Sequence, residues 1–241
     1  MKSFLLTSVR LSTYFWVFFG IFFSLSVAIP GYKFDAGALT LFSVNSFLYG
    51  FYIAPILSAQ KTRIEELHRI IRNEANALFS LVLKFKKLPK PLRNKLQLLV
   101  KSYLTARVDK QALNVGETEY EKLITFCVDY DGPEQEHIDK ILEEVVANQQ
   151  NRTNYSMQAA NQVFSNEWHV MAILFTITLG FILTINIGHS FIFHVVRALL
   201  CTGLTMLIIS LIKLNTLTHK KAKQMWGPFK KLVATNFYQI D

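Results

Sequence analysis

Long uncharged apolar runs alternate along this chain with densely charged stretches. The first run covers residues 11–29, without a charge, between Arg10 and the pair Pro30-Gly31. A helix needs about 20 residues to cross the hydrocarbon of a bilayer. A signal peptide is the rival reading, with Lys2 and Arg10 ahead of the run and Ser26-Val27-Ala28 as a small-residue cleavage site. The apolar core of a signal peptide is about 7–15 residues long, and Pro30 stands two positions after Ala28, so a span is the reading taken. The second run covers residues 36–59 and carries Asn45, Tyr49, Gly50, Tyr52 and Pro55. Polar and kink-forming residues in a span face protein or water rather than lipid. The third run, residues 168–187, leads through the turn signal Gly188-His189-Ser190 to a fourth, residues 191–212.

Between the second and third runs the apolar positions take helical spacing. Ile64, Leu67, Ile70, Ile71, Leu78, Leu81, Val82 and Phe85 recur on one face, so the second span is expected to continue as a helix beyond the membrane. Leu88-Pro89-Lys90-Pro91 breaks it, and Pro91 suits the first turn of the next helix. That helix carries Leu96, Leu99, Val100, Tyr103 and Leu104. A further segment covers residues 117–130, and Asp131-Gly132-Pro133 is a turn signal. The last segment begins near Glu134, sets Ile138, Ile141, Leu142, Val145 and Val146 on one face, and is expected to run on into the third span. The pattern predicts an all-α membrane protein. Residues 1–59 hold transmembrane helices 1 and 2, and residues 60–167 a helical cytoplasmic region. Residues 168–214 hold transmembrane helices 3 and 4, and residues 215–241 form a basic tail.

Composition supports that reading. Of 241 residues 51% are hydrophobic and only 18% charged, with 20 Phe, against roughly 25% charged in a soluble domain. This excludes a disordered, collagenous or soluble all-β chain. Two distant cysteines, Cys127 and Cys201, exclude a disulfide framework or a cysteine zinc site. The net charge of +9 suggests nucleic acid only until it is mapped. Residues 61–110 hold 13 Lys/Arg against 4 Asp/Glu, residues 111–167 hold 3 against 11, and residues 213–241 hold 6 against 1. Basic residues beside spans mark the cytoplasmic side. Lys2 and Arg10 precede span 1, Lys61, Arg63, Arg69 and Arg72 follow span 2, and Lys213, Lys220, Lys221 and Lys223 follow span 4. The two short loops carry only Lys33 and, seven residues into span 4, Arg197. Both termini and the middle are therefore expected inside, in a plasma membrane (the inner membrane of a Gram-negative cell). The sequons at Asn151 and Asn154 then fall in the cytoplasm as chance matches.

No phosphate-binding glycine loop, GxSxG, HExxH or CxxC occurs, so no enzyme, cofactor or metal is assigned. The six histidines, His68, His137, His169, His189, His194 and His219, are dispersed, and His189 and His194 are five apart, the wrong spacing for one helical face. Cys201 reads as a packing residue. Glu74 lies inside an apolar-periodic helix, where it either pairs with a basic neighbour such as Arg107 or acts directly. Arg197 in a span costs from about 2.5 kcal/mol upward. It either snorkels outward over about 10 Å or attracts anions at an outer vestibule. Ser43, Phe47 and Phe51 stand at i, i+4 and i+8 on one face, thinned by Gly50. Such a stripe packs against another helix or, repeated around a symmetric oligomer, makes aromatic rings. A ring of this kind is a hydrophobic constriction that gates by dewetting, with partial positive charge on the Phe edges.

Ser46-Phe47-Leu48-Tyr49-Gly50-Phe51-Tyr52-Ile53 resembles the S-F-V-L-G-F-Y-V signature of bestrophins, the pentameric ion channels. The resemblance implies that this helix lines a pore, with Phe47 and Phe51 as two rings of its neck. Ser43 stands where the family usually has Ile, which implies a third, more polar ring. Gly227-Pro228-Phe229 resembles the bestrophin N-P-F, but Lys230-Lys231-Leu232 replaces the acidic cluster that clasps calcium in animal bestrophins. Activation through that clasp is not expected. A second stretch runs from Glu74-Ala75-Asn76-Ala77 through Leu88-Pro89-Lys90-Pro91-Leu92-Arg93 to Tyr103 and Arg107. It is similar to the E-A-N-A-I … L-P-x-P-x-R … Y … R pattern of bacterial bestrophin-like membrane proteins. These resemblances imply a homo-oligomeric channel, a pentamer, whose partners are the bilayer, inorganic ions and further copies of itself, with no nucleic acid. Anions, chloride among them, are the family default. The basic stretch supports that default if it faces the vestibule, and the acidic stretch favours cations if it does. The alternative is a non-conducting scaffold or signalling protein whose cytoplasmic helices bind a partner.

Overall fold

The computed structural model describes residues 9–110, 116–186, 190–218 and 224–238. Among them are eight helices: α1 (Leu11–Ala28), α2 (Ala36–Phe85), α3 (Lys90–Lys110), α4 (Glu117–Val128), α5 (Gln135–Ala160), α6 (Ser165–Thr184), α7 (Phe191–Asn215) and α8 (Gly227–Ala234). Among the described residues β pairing is limited to one isolated bridge, Tyr32 with Ile185. Four stretches of helix are long and apolar enough to cross a bilayer: α1, α2, the stretch ending in α6, and α7. The fold is all-α and of membrane type. The chain divides into two compact units, Met1–Thr62 with Gln162–His219, and Arg63–Asn161 with Lys220–Asp241.

The membrane unit is built from helix ends that the sequence dictates. Ile29 precedes Pro30, which disfavours helical backbone, and Ile29 is extended at φ −85°, ψ 119°. The Asp35 carboxylate accepts the Ala38 amide at 2.7 Å and caps α2. From there α2 runs through Pro55 without interruption to Phe85, 50 residues in all, or about 75 Å. Two apolar clusters hold the unit together. One joins Tyr49 and Ile53 of α2 to Val163, Met171 of α6 and Leu211 of α7. The other joins Phe22 of α1 to Ile182 of α6 and to Ala198 and Cys201 of α7.

The expected run of the last cytoplasmic helix into the third span does not occur. Helix α5 ends at Ala160, and residues 161–164 are not helical before α6 begins at Ser165. Side chains take the backbone donors that a continuous helix would have used. The Val163 amide donates to Asn215 Oδ1 at 2.9 Å, and the Phe164 amide to the Glu167 carboxylate at 3.1 Å.

In the second unit the periodic positions of α2 from Ile64 to Phe85 are buried, with Leu96, Val100, Tyr103 and Leu104 of α3. Tyr120, Leu123 and Cys127 of α4 and Ile138, Ile141 and Val145 of α5 complete the core. Val146 is exposed instead; the buried face of α5 turns to Asn148. Gly116 begins α4 at φ 84°, and a Cβ there would stand 2.9 Å from the Tyr103 ring. Both the backbone and the space demand glycine at that turn.

Candidate functional site

Two faces of α2 have opposite fates. One is clamped to α6: Tyr49 and Ile53 are buried. The Asn45 amide donates to Leu174 O at 3.2 Å and to Thr178 Oγ1 at 2.8 Å. Those bonds explain a polar residue in an apolar run, since an unmade amide bond in hydrocarbon is costly. The other face is bare. Phe47 is 69% exposed and Phe51 70%, and their rings stack at 6.0 Å and 19°. Ser43 shares the face, its hydroxyl turned back to Leu39 O at 3.0 Å. Gly50 is exposed there with open space where a Cβ would stand. The four stripe residues therefore lie together on one exposed surface of α2.

The second sequence stretch converges only in part. Glu74, Tyr103 and Arg107 meet in the core of their unit, all buried. The Tyr103 hydroxyl donates to Glu74 Oε1, and Arg107 Nη2 donates to Glu74 Oε2 at 3.2 Å. The Arg107 guanidinium also lies 5.2 Å from the ring centres of Tyr155 and of Trp226. A second arginine, Arg152, sits 4.2 Å from the Tyr120 ring and 5.4 Å from that of Tyr103. Burial, with Glu74 beside it, holds the Tyr103 phenol well above its usual value, and burial pushes Tyr120 up to about 12. Both phenols are hydrogen-bond donors at neutral pH: Tyr103 to the carboxylate, and Tyr120 to Val145 O at 2.6 Å. The cluster is a buried pin between α2 and α3. Asn76 is exposed and Arg93 half-buried, both outside it. Tyr155, Arg152 and Trp226 were missed by the sequence reading. The one signal for Trp226 was its place just before Gly227-Pro228-Phe229, whose Phe229 is also buried.

Arg197 points inward. It is 3% exposed, and its guanidinium donates to Ser26 O at 3.3 Å and to Ile185 O. Ser26 lies in the last turn of α1, and Ile185 follows the last residue of α6. Carbonyls at helix C-termini lack intrahelical partners and favour cations. The sequence offered snorkelling or an outer vestibule; here the side chain ties two helix ends together. Beside it Ser26 Oγ and His194 Nδ1 are 2.9 Å apart. Gly188, His189, His219 and Lys220, Lys221 and Lys223 lie outside the described residues.

Residues 13–230 match the family model described as Bestrophin-like domain. The chain belongs to the bestrophin-like family. No curated protein and no solved structure matches it. Bestrophins are ion channels rather than enzymes, and the four apolar helices make this bestrophin-like chain a membrane protein. The match takes in the bare stripe of α2, the Glu74 cluster and Arg197 alike.

Proposed function

We propose that this bestrophin-like protein is a homopentameric channel that conducts anions passively along an axial pore lined by five copies of α2. Phe47 and Phe51 form the narrow neck, Ser43 a wider polar ring ahead of them, and Gly50 leaves room beside the rings. The observation that carries this reading is the asymmetry of α2. Its buried face is anchored by Asn45, Tyr49 and Ile53, while two stacked phenylalanines about 70% exposed occupy the opposite face. An aromatic ring around an axis excludes water until it widens, and its ring edges favour anions. Charge supports the same ion: the unit holding the neck has 6 Lys/Arg against 2 Asp/Glu. With the termini and residues 60–167 in the cytoplasm of a plasma membrane, ions leaving the neck pass through a vestibule walled by those helices. Imaging of purified particles in projection tests the assembly. A five-fold ring with an axial hole is the expected result. Monomers, or an assembly with no central opening, would favour a non-conducting scaffold.

A further inference from the structure

We infer that Arg72 sets the ion selectivity of this protein: its guanidinium, repeated by each subunit, makes a positively charged ring beyond the aromatic neck that admits small anions and turns cations away. This rests on the channel reading and deepens it, because it assigns selectivity to a second ring on α2. Helix α2 runs unbroken from Ala36 to Phe85, so its register carries the neck face onward. Arg72 lies 25 residues after Phe47, within about 20° of seven full turns. The positions between them on that face, Ala54, Ser58, Lys61, Glu65 and Arg69, are exposed, as is Arg72. The face is small and uncharged at Ala54 and Ser58 and charged from Lys61 on.

Those charges do not carry equal weight. Arg69 donates to both Glu66 oxygens, at 2.9 and 2.6 Å, and the pair offsets its charge. Lys61 and Glu65 stand four residues apart, the spacing at which opposite charges on a helix face balance. Arg72 has neither kind of partner. The positions one turn away, 68, 69, 75 and 76, are His, Arg, Ala and Asn. No ion pair joins Arg72 to another described residue. Glu74, the next carboxylate along the helix, is taken by Tyr103 and Arg107 in the core. Arg72 is thus left uncompensated on this face. Rings of arginine or lysine select anions in pores, and a guanidinium keeps its charge at any physiological pH.

Reversal potentials of the purified full chain in planar bilayers, under a sodium chloride gradient, test this. The chloride-to-sodium permeability ratio should fall about fivefold or more in Arg72→Gln and pass to cation preference in Arg72→Glu. Glu65→Gln removes a negative charge from the same face and should raise the ratio. Arg72→Cys gives a second handle, since both native cysteines are buried. A positively charged methanethiosulfonate should restore the anion preference of that variant, and a negatively charged one should reverse it. Current with an unchanged permeability ratio in Arg72→Gln and Arg72→Glu overturns the ring and leaves the channel standing. A wild type that prefers sodium also overturns the ring alone. No current from the wild type overturns the channel and the ring together.

Discussion

Glu74 is fully buried on a helix face that is otherwise largely apolar, and both of its oxygens are taken. Removing its charge should therefore be far more damaging than its small size suggests. Glu74→Gln leaves Arg107 charged and buried without a counterion, which costs about 3–5 kcal/mol. Tyr103→Phe leaves one carboxylate oxygen unserved, which costs about 1–3 kcal/mol. Denaturant unfolding of the two variants checks both figures; losses under about 0.5 kcal/mol would mean that the cluster pins nothing. The Glu74–Arg107 pair was legible in the sequence because a carboxylate in an apolar periodicity needs a cation nearby. The aromatic lids Tyr155 and Trp226 were not, since they arrive from positions 81 and 152 residues after Glu74 and no local pattern brings them there. The direction taken by Arg197 was equally hidden. Depth along a span follows from counting, whereas the approach of two helix C-termini is a tertiary fact.

At the scale of elements, continuity and interruption follow from which backbone donors find partners. The periodic positions 64–85 carry α2 far past the apolar run, and Pro55 does not stop it. Helix α5 does stop short of α6, although no Pro or Gly marks the spot, because Asn215 and Glu167 capture the amides of Val163 and Phe164. Asn215 lies 52 residues from Val163, so that break could not be read locally. The proposed cytoplasmic position of α3–α5 is tested at α4. Neither native thiol serves, since both are buried, and burial pushes Cys127 up to about 11, which keeps it protonated and slow to react. Thr118 is exposed near the start of α4. In Thr118→Cys, a membrane-impermeant maleimide added to intact cells should leave the new thiol unlabelled and should label it once the cells are opened. Labelling of intact cells would reverse the orientation.

For the whole molecule, the proposed channel asks two things of one helix: to anchor to its own chain on one face, as Tyr49 and Ile53 do, and to meet its symmetry mates on the other. Phe47 and Phe51 are as exposed as Leu41 of α2 and Phe191 of α7; what sets them apart in the proposed channel is that their face of α2 meets the axis rather than lipid. The most direct measurement is ion current through purified protein in a planar bilayer, for the wild type and for Phe47→Ala and Phe51→Ala. Core Phe→Ala changes cost about 3–5 kcal/mol; here the thermal stability of each subunit should barely move, because the rings touch little within it. Chloride-selective current is expected in the wild type, with a larger, leakier conductance in each variant. Silence in all three, with the proteins folded and assembled, would contradict it.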